Sequence, residues 1–415
     1  MPYPRFRINM PLGELFLSFL QALKKSPPGV REVEFLSRFR ELGGFPEIVL
    51  VGSGRAGFRL LLESLDFEPG SEIIFPSYTF HPIPAAAAEC GFKPVFADVD
   101  RATWNIDPEK IPSLISPRTR AIMPTHLFGV PAEMDRINEI AREHELKVIE
   151  DCAHGLGARY NGRPAGTLGD TALFTFAMSK NLPCWGGGAM VVKEFDLAER
   201  MRAALKRSTP PGGFSILKGQ AFNIAAILLT QPLIFPWMLY PLIRLASRFG
   251  SDFFDRPFIE EVTPISPAGC PADGKSGARS FAPFQAAVGL RQLGRFSGWL
   301  ERQEVNARIL RSRLESCPGL KFQEEPSGRK SSFLYLRARV EDPDRVRRSL
   351  LCRGIDSKPD DMRNCAALEI FDHRLECPEA EKLGGHCVEL PCSPFYSEKA
   401  ITNIAGRVRR AMRKI

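Results

Sequence analysis

A chain of 415 residues is too long for one simple hydrophobic core, so two lobes are expected. With 44% hydrophobic and 25% charged residues, it is composed like an ordinary soluble globular protein. The net charge of +8 comes from dispersed basic residues with no long run, which argues against nucleic acid and leaves an anionic membrane surface or a phosphorylated substrate as partners.

Ten cysteines are scattered without a CxxC pair. That argues against a disulfide framework or a metal site and fits a reducing cytosol. The first predicted element is an amphipathic helix at 15–23, preceded by Glu14, followed by Lys24 and Lys25, and ended by Ser26-Pro27-Pro28-Gly29. It lacks the small-residue cleavage site of a signal peptide. The stretch 49–62 reads as a short apolar strand, a Gly52-Ser53-Gly54 turn and a helix. "SEIIFPSYTF" (71–80) is a strand ending at Pro76, 85–90 continues a helix, and 93–100 is a further strand. Strand, helix and strand follow at 120–129, 135–145 and 147–158, and "DTALFTFAMSKNLPCWGGGAMVV" (170–192) holds two strands around Lys180 and a triple glycine. Apolar runs alternating with helical patterns predict βαβ units and a mostly parallel sheet covered on both faces. From about 320 the pattern changes to a smaller α+β lobe, with a strand at 331–340, a helix at 342–354 and a basic amphipathic helix at 397–415.

Ligands of open parallel sheets collect at the carboxyl ends of the strands. Ser53 and Gly54, Ser77 to Phe80, Asp151 with His154, and Thr175 with Lys180 all fall at such ends. Each alone has an ordinary explanation: a turn, a helix cap, a structural histidine, a loop lysine. As an ordered set they supply an anion cradle, an aromatic ring, a buried carboxylate and an amine, the parts that a pyridoxal phosphate site needs. The lysine amine binds the cofactor aldehyde and shuttles a proton. The carboxylate keeps the pyridine nitrogen protonated, and hydroxyl and N–H donors hold the phosphate.

The segments "VGSGRAGFRLLLES", "WNIDPEKI", "AIMPTHLFGVPAEMD", "VIEDCAHGLGA" and "LGDTALFTFAMSKN" occur in this order, followed by "GGG". Together with "FQAAVGLRQLGRF" and "RVRRSLLCRGID" they resemble the DegT/DnrJ/StrS family of pyridoxal-phosphate sugar aminotransferases, over roughly 35–207 and 276–412. The resemblance implies fold type I: a large domain with a mixed, mostly parallel sheet at 35–275, an N-terminal segment at 1–34, and a linking helix with a small α+β domain at 276–415. It also implies a homodimer, an amino donor such as glutamate and a keto-sugar acceptor. Residue by residue, Lys180 would bind the cofactor and Asp151 would face the pyridine nitrogen. His154 would lie near the ring oxygen, Phe80 would stack on the ring, and Ser53, Gly54 and Thr175 would hold the phosphate.

The departures keep the cofactor core and alter the substrate side. Arg55 replaces a threonine and remains a candidate phosphate donor. Gly186 replaces a glutamate, and "ARS" at 278–280 replaces an Asn-Tyr-Arg run, with Arg279 compensating if the register slips by one. The loop 356–365, "DSKPDDMRNC", lacks the usual histidine. Between the two matching blocks lies an insertion in which 219–243 carries no charge and holds Pro232, Pro236 and Pro241. Its ~25 residues reach the length needed to cross a bilayer, but the flanking blocks must share one domain and the prolines break a long helix. The stretch 214–250 therefore reads as an interfacial hairpin at the cytoplasmic membrane face, with Trp237 and Tyr240 at interfacial depth and Lys218, Arg244 and Arg248 on headgroups. The alternative is an arm packed against a partner subunit. The expected activity is amino transfer to a nucleotide- or lipid-linked keto sugar. A non-transaminating enzyme on the same scaffold, or a catalytically silent protein, stays open beside it.

Overall fold

The computed structural model describes residues 1–5, 8, 10–24, 29–206, 211–249, 254–255, 280–371, 375–413 and 415. The expected helix end at 26–28, and Ala278 and Arg279, lie outside them. Seven strands form the main sheet: β1 (Glu47–Val51), β2 (Glu72–Pro76), β3 (Lys93–Ala97), β4 (Thr119–Ile122), β5 (Lys147–Asp151), β6 (Thr171–Thr175) and β7 (Gly188–Val192). Their spatial order is β1-β7-β6-β5-β4-β2-β3. Only β7, antiparallel to both β1 and β6, runs against the rest. This is the mixed, mostly parallel sheet expected from the sequence.

Successive side chains of a strand point to opposite faces, and the core divides accordingly. Ile73, Phe75, Ile149 and Leu173 join a cluster with Phe58 and Leu61 of α3 (Gly54–Ser64). Their neighbours Ile74, Ile122 and Val148 join Ile137 and Ile140 of the helix Met134–Glu143. Ala172 and Phe174 meet Phe35 and Phe39 of α2 (Val30–Gly43). Continuous apolar strands are thus explained by burial on both faces.

The second lobe is built on the small sheet β8 (Lys321–Phe322), β9 (Leu336–Arg339) and β10 (Cys387–Leu390), covered by the helices Pro343–Cys352 and Glu398–Met412. The predicted strand at 331–340 is therefore shorter than its apolar pattern. The 32-residue helix Pro283–Leu314 spans the lobes: Ala286 and Phe296 lie in the large-lobe core, and Ala307, Leu310 and Leu314 in the small one.

The N-terminal helix α1 covers Leu12–Leu23. The insertion differs from the expected two-armed hairpin, because it forms three short helices at Gly213–Gly219, Ala221–Leu229 and Leu239–Arg248. Pro232 and Pro236 sit in the turn between the second and third, and Pro241 falls in the first turn of the third, where a missing N–H costs nothing.

An aromatic knot fixes β6. Phe39 is fully buried, with ring centroids 5.0 Å from Phe45, 5.4 Å from Phe176, 5.6 Å from Phe174 and 5.9 Å from Phe35. Phe39→Ala should destabilise the fold by about 3–5 kcal/mol, read as a lower denaturant midpoint with an unchanged slope.

Candidate active site

The strand ends bring the predicted residues together. β5 ends at Asp151 and β6 at Thr175. The chain then turns, with the Lys180 N–H donating to the Ala177 carbonyl at 3.0 Å, and returns into β7 through the triple glycine. Gly186 and Gly187 have φ of 98° and 89°, a region that side-chain-bearing residues avoid. Ser53 caps α3 by accepting the Ala56 N–H at 3.2 Å. A Cβ added to Gly54 would lie 3.0 Å from the Cβ of Thr175, and one on Gly188 would lie 3.0 Å from the Gly54 nitrogen. Glycine alone allows the helix N-terminus to come this close to the strand ends, where the positive end of the helix dipole favours an anion.

Ser53, Gly54, Arg55, Phe80, Asp151, His154, Thr175 and Lys180 all line one cavity of about 850 Å³. Asp151 is 3% exposed, and its carboxylate accepts the Ala153 N–H at 3.0 Å and the Thr125 hydroxyl at 3.4 Å. Burial raises its pKa above the usual carboxylate value, against the opposing pull of that N–H and of Lys180. The Lys180 amine is pushed down to about 8, chiefly by burial and further by the Lys358 cation, although Asp361 and Asp151 draw it up. His154 accepts the Phe128 N–H on Nδ1 at 3.2 Å. Burial, with Lys180 nearby, holds its pKa well below the ordinary value, so the ring is neutral.

Several cavity residues were not found by sequence reasoning. Lys180 Nζ lies 5.8 Å and Lys358 Nζ 5.6 Å from the centroid of the same Tyr335 ring. Lys358 donates to Asp361 at 2.6 Å, and Asp361 also pairs with the buried Arg337. Burial would raise the Asp361 carboxyl, but these two cations hold it far below the usual range. Arg337 in turn stands 4.4 Å from the centroid of the Phe128 ring and donates to Asp360 at 2.6 Å. Lys358 and Asp361 belong to the loop 356–365, whose lack of histidine was the one available signal. Tyr335 gave none. Gln220, Phe222 and Asn223, from the insertion, also line the cavity, and their segment reads only as apolar.

The donors fit pyridoxal phosphate. A glycine-lined cradle at a helix N-terminus suits the phosphate, a buried carboxylate with a raised pKa suits the ring nitrogen, and an amine with a lowered pKa sits beside both. A model of the DegT/DnrJ/EryC1/StrS aminotransferase family matches residues 16–214 and 280–409.

The chain belongs to this family.

Among relatives, GDP-perosamine synthase of Caulobacter vibrioides is 41% identical over 170 residues, which are 41% of this chain and 46% of the relative. The chain thus spans about half the length of that relative. A UDP-N-acetyl-3-dehydro-alpha-D-glucosamine 3-aminotransferase of Acidithiobacillus ferrooxidans is 29% identical over 378 residues, covering 89% of this chain and 86% of the relative. The solved structure of DesI with its TDP-sugar product aligns over 100% of this chain and 94% of its own, with a TM-score of 0.74 and 26% identity. The family match stops at 214 and resumes at 280, so Gln220, Phe222 and Asn223 line the cavity from a segment that the family model does not match.

The Lys180 amine must lose its proton before it can bind an aldehyde. Mixing cofactor-free protein with pyridoxal phosphate should therefore give visible absorbance at a rate rising about tenfold per pH unit below about 8 and levelling above it. In Lys358→Met, which removes a neighbouring cation and frees Asp361 to act on Lys180, the midpoint of that profile should move to higher pH.

Proposed function

We propose that this chain is a pyridoxal-phosphate-dependent aminotransferase that moves an amino group, with glutamate as donor, to a keto sugar carried by a nucleotide or a lipid. The observation that carries this reading is the placement of Lys180, with its lowered pKa, in one cavity with the buried, raised-pKa Asp151 and the cradle of Ser53, Gly54 and Thr175. When bound, pyridoxal phosphate supplies an electron-accepting ring and the aldehyde that carries nitrogen between donor and acceptor. An amine titrating near 8 is suited to take and return a proton at the substrate carbon near neutral pH. Asp151 would hold a proton on the ring nitrogen, and neutral His154, fixed by the Phe128 N–H, would line the same cavity. Phe80 would cover one face of the ring, and Arg55 would supply a cation at the start of α3.

The names of the relatives support a nucleotide-linked acceptor, since they refer to GDP- and UDP-sugars, and the DesI structure holds a TDP-sugar product. We further read the enzyme as a homodimer acting on the cytoplasmic side in surface polysaccharide or glycolipid synthesis, with 214–250 against the membrane.

The purified protein should show a visible absorbance band that glutamate bleaches; a protein with no bound cofactor would support the catalytically silent alternative. Lys180→Ala should lose the band and reduce amino transfer by more than the roughly 10²–10⁴-fold that proton transfer alone contributes. Near-normal transfer would remove Lys180 from its role. Asp151→Asn should keep the fold and bind cofactor but turn over more slowly, and unchanged turnover would mean that another acid serves the ring nitrogen.

A further inference from the structure

The helix α1 is amphipathic in an inverted sense. Leu12, Phe16, Phe19, Leu20 and Leu23 recur at helical spacing and are all exposed, Phe16 to 64%. The inward face holds Leu15, Ser18 and the only carboxylate of the helix, Glu14. Glu14 is buried, and it accepts from Arg291 at 2.8 and 3.0 Å and pairs with Arg295. A helix that folded against its own domain in water would turn these faces the other way.

The same platform continues into the insertion. Leu15 shares a buried cluster with Leu217 and Ile227 of the first two insertion helices, and Gly213 approaches so closely that a Cβ there would lie 2.9 Å from the Ala22 Cα. Around these anchors Phe214 and Leu228 are exposed, as are Leu233 and Trp237 (83%) in the turn that follows. Residues 211–249 contain no Asp or Glu, whereas Lys218 and Arg248 are exposed and Arg244 lies against Tyr240. With Glu14 folded inward and Lys24 exposed at the helix end, the outer surface of both segments offers apolar and cationic groups and no carboxylate. A second protein copy would not require that complete clearance of acids. An anionic bilayer does, because each carboxylate would face its headgroups.

We infer that α1 and the insertion form one composite docking face for an anionic membrane surface, with α1 contributing an essential half. The inference rests on the reading that 214–250 meets a membrane, and it adds a second segment some two hundred residues away in sequence. Because Gln220, Phe222 and Asn223 line the cavity from the same insertion, docking brings the reaction site next to the bilayer.

Flotation of the intact, cofactor-loaded protein with phosphatidylcholine vesicles, with and without phosphatidylglycerol, tests both statements. The native protein should float with the phosphatidylglycerol vesicles at low salt and be released at high salt. Phe16→Glu/Leu23→Glu should reduce the bound fraction by on the order of tenfold while the visible cofactor band is retained. If that double variant loses the band, Phe16→Ser, which adds no charge, replaces it. A native protein that stays in solution with both vesicle types overturns the membrane reading itself. A native protein that floats, with an α1 variant that floats equally well, overturns only the role of α1. If the α1 variant instead converts a dimer to a monomer in light scattering without vesicles, the face belongs to a second copy and the inference falls.

Discussion

The close approach of α3 to the ends of β6 and β7 is the constraint on which the site depends. It takes glycine at four points. Gly54 meets Thr175, Gly188 meets Gly54, and a Cβ on Gly57 would lie 2.8 Å from Val51 and 3.1 Å from the Met190 sulfur. Gly187 is filled against Phe281 in the same way. With these contacts made, the first turn of α3 lies over the strand that leads into Lys180, and the buried end of β5 supplies Asp151 alongside. Beneath them, Glu150 accepts the N–H groups of Gly166, Leu168 and Gly169 at 2.7–2.8 Å and bonds to His126 at 2.9 Å. Those bonds outweigh the effect of burial and hold it charged below the usual carboxylate range, anchoring the loop that precedes β6.

Electrostatically, the cavity is divided. Lys180 loses affinity for its proton because it is enclosed and because Lys358 faces the same ring. Lys358 keeps its own proton because Asp361 outweighs the cost of its burial. Two lysines over one tyrosine therefore behave differently: Asp361 draws both up, but it accepts a hydrogen bond directly from Lys358 at 2.6 Å, and for Lys180 burial prevails. Arg337, between Asp360, Asp361 and Glu389, holds that carboxylate in place.

Much of this was legible in the chain, for identifiable reasons. Strands buried on both faces must be apolar throughout, so β2 and β6 stood out. The candidate residues followed at their carboxyl ends, and all eight line the same cavity. Strand limits were less legible, because an apolar run does not show where pairing stops; 120–129 and 331–340 both extend beyond their strands. Tyr335 and Gln220 could not be read at all, and Lys358 only as part of a loop without its usual histidine, since each comes from a separate stretch of chain brought in by tertiary packing. The insertion was recognisable as apolar, but its three prolines pointed to a hairpin where the chain instead uses them at a turn and in a first helical turn. The inverted orientation of α1 was likewise hidden, because its pattern is that of any amphipathic helix until the side that carries Glu14 is seen to face inward.

The helix Pro283–Leu314 belongs to both hydrophobic cores, and the lobes are also stitched side by side. Gln323 donates to the carbonyls of Thr103 at 2.6 Å and Leu127 at 3.1 Å, and Ser332 donates to the carbonyl of His154 at 2.8 Å. Parting the lobes would break a continuous helix and tear these bonds from buried partners, at a penalty for each unsatisfied group. The cavity therefore lies in a frame whose two halves are held fixed and do not swing on a hinge. Gln220, Phe222 and Asn223, drawn from the insertion, stand in the wall of this fixed cavity, so the insertion helps to set its shape as a moulding sets the outline of a frame.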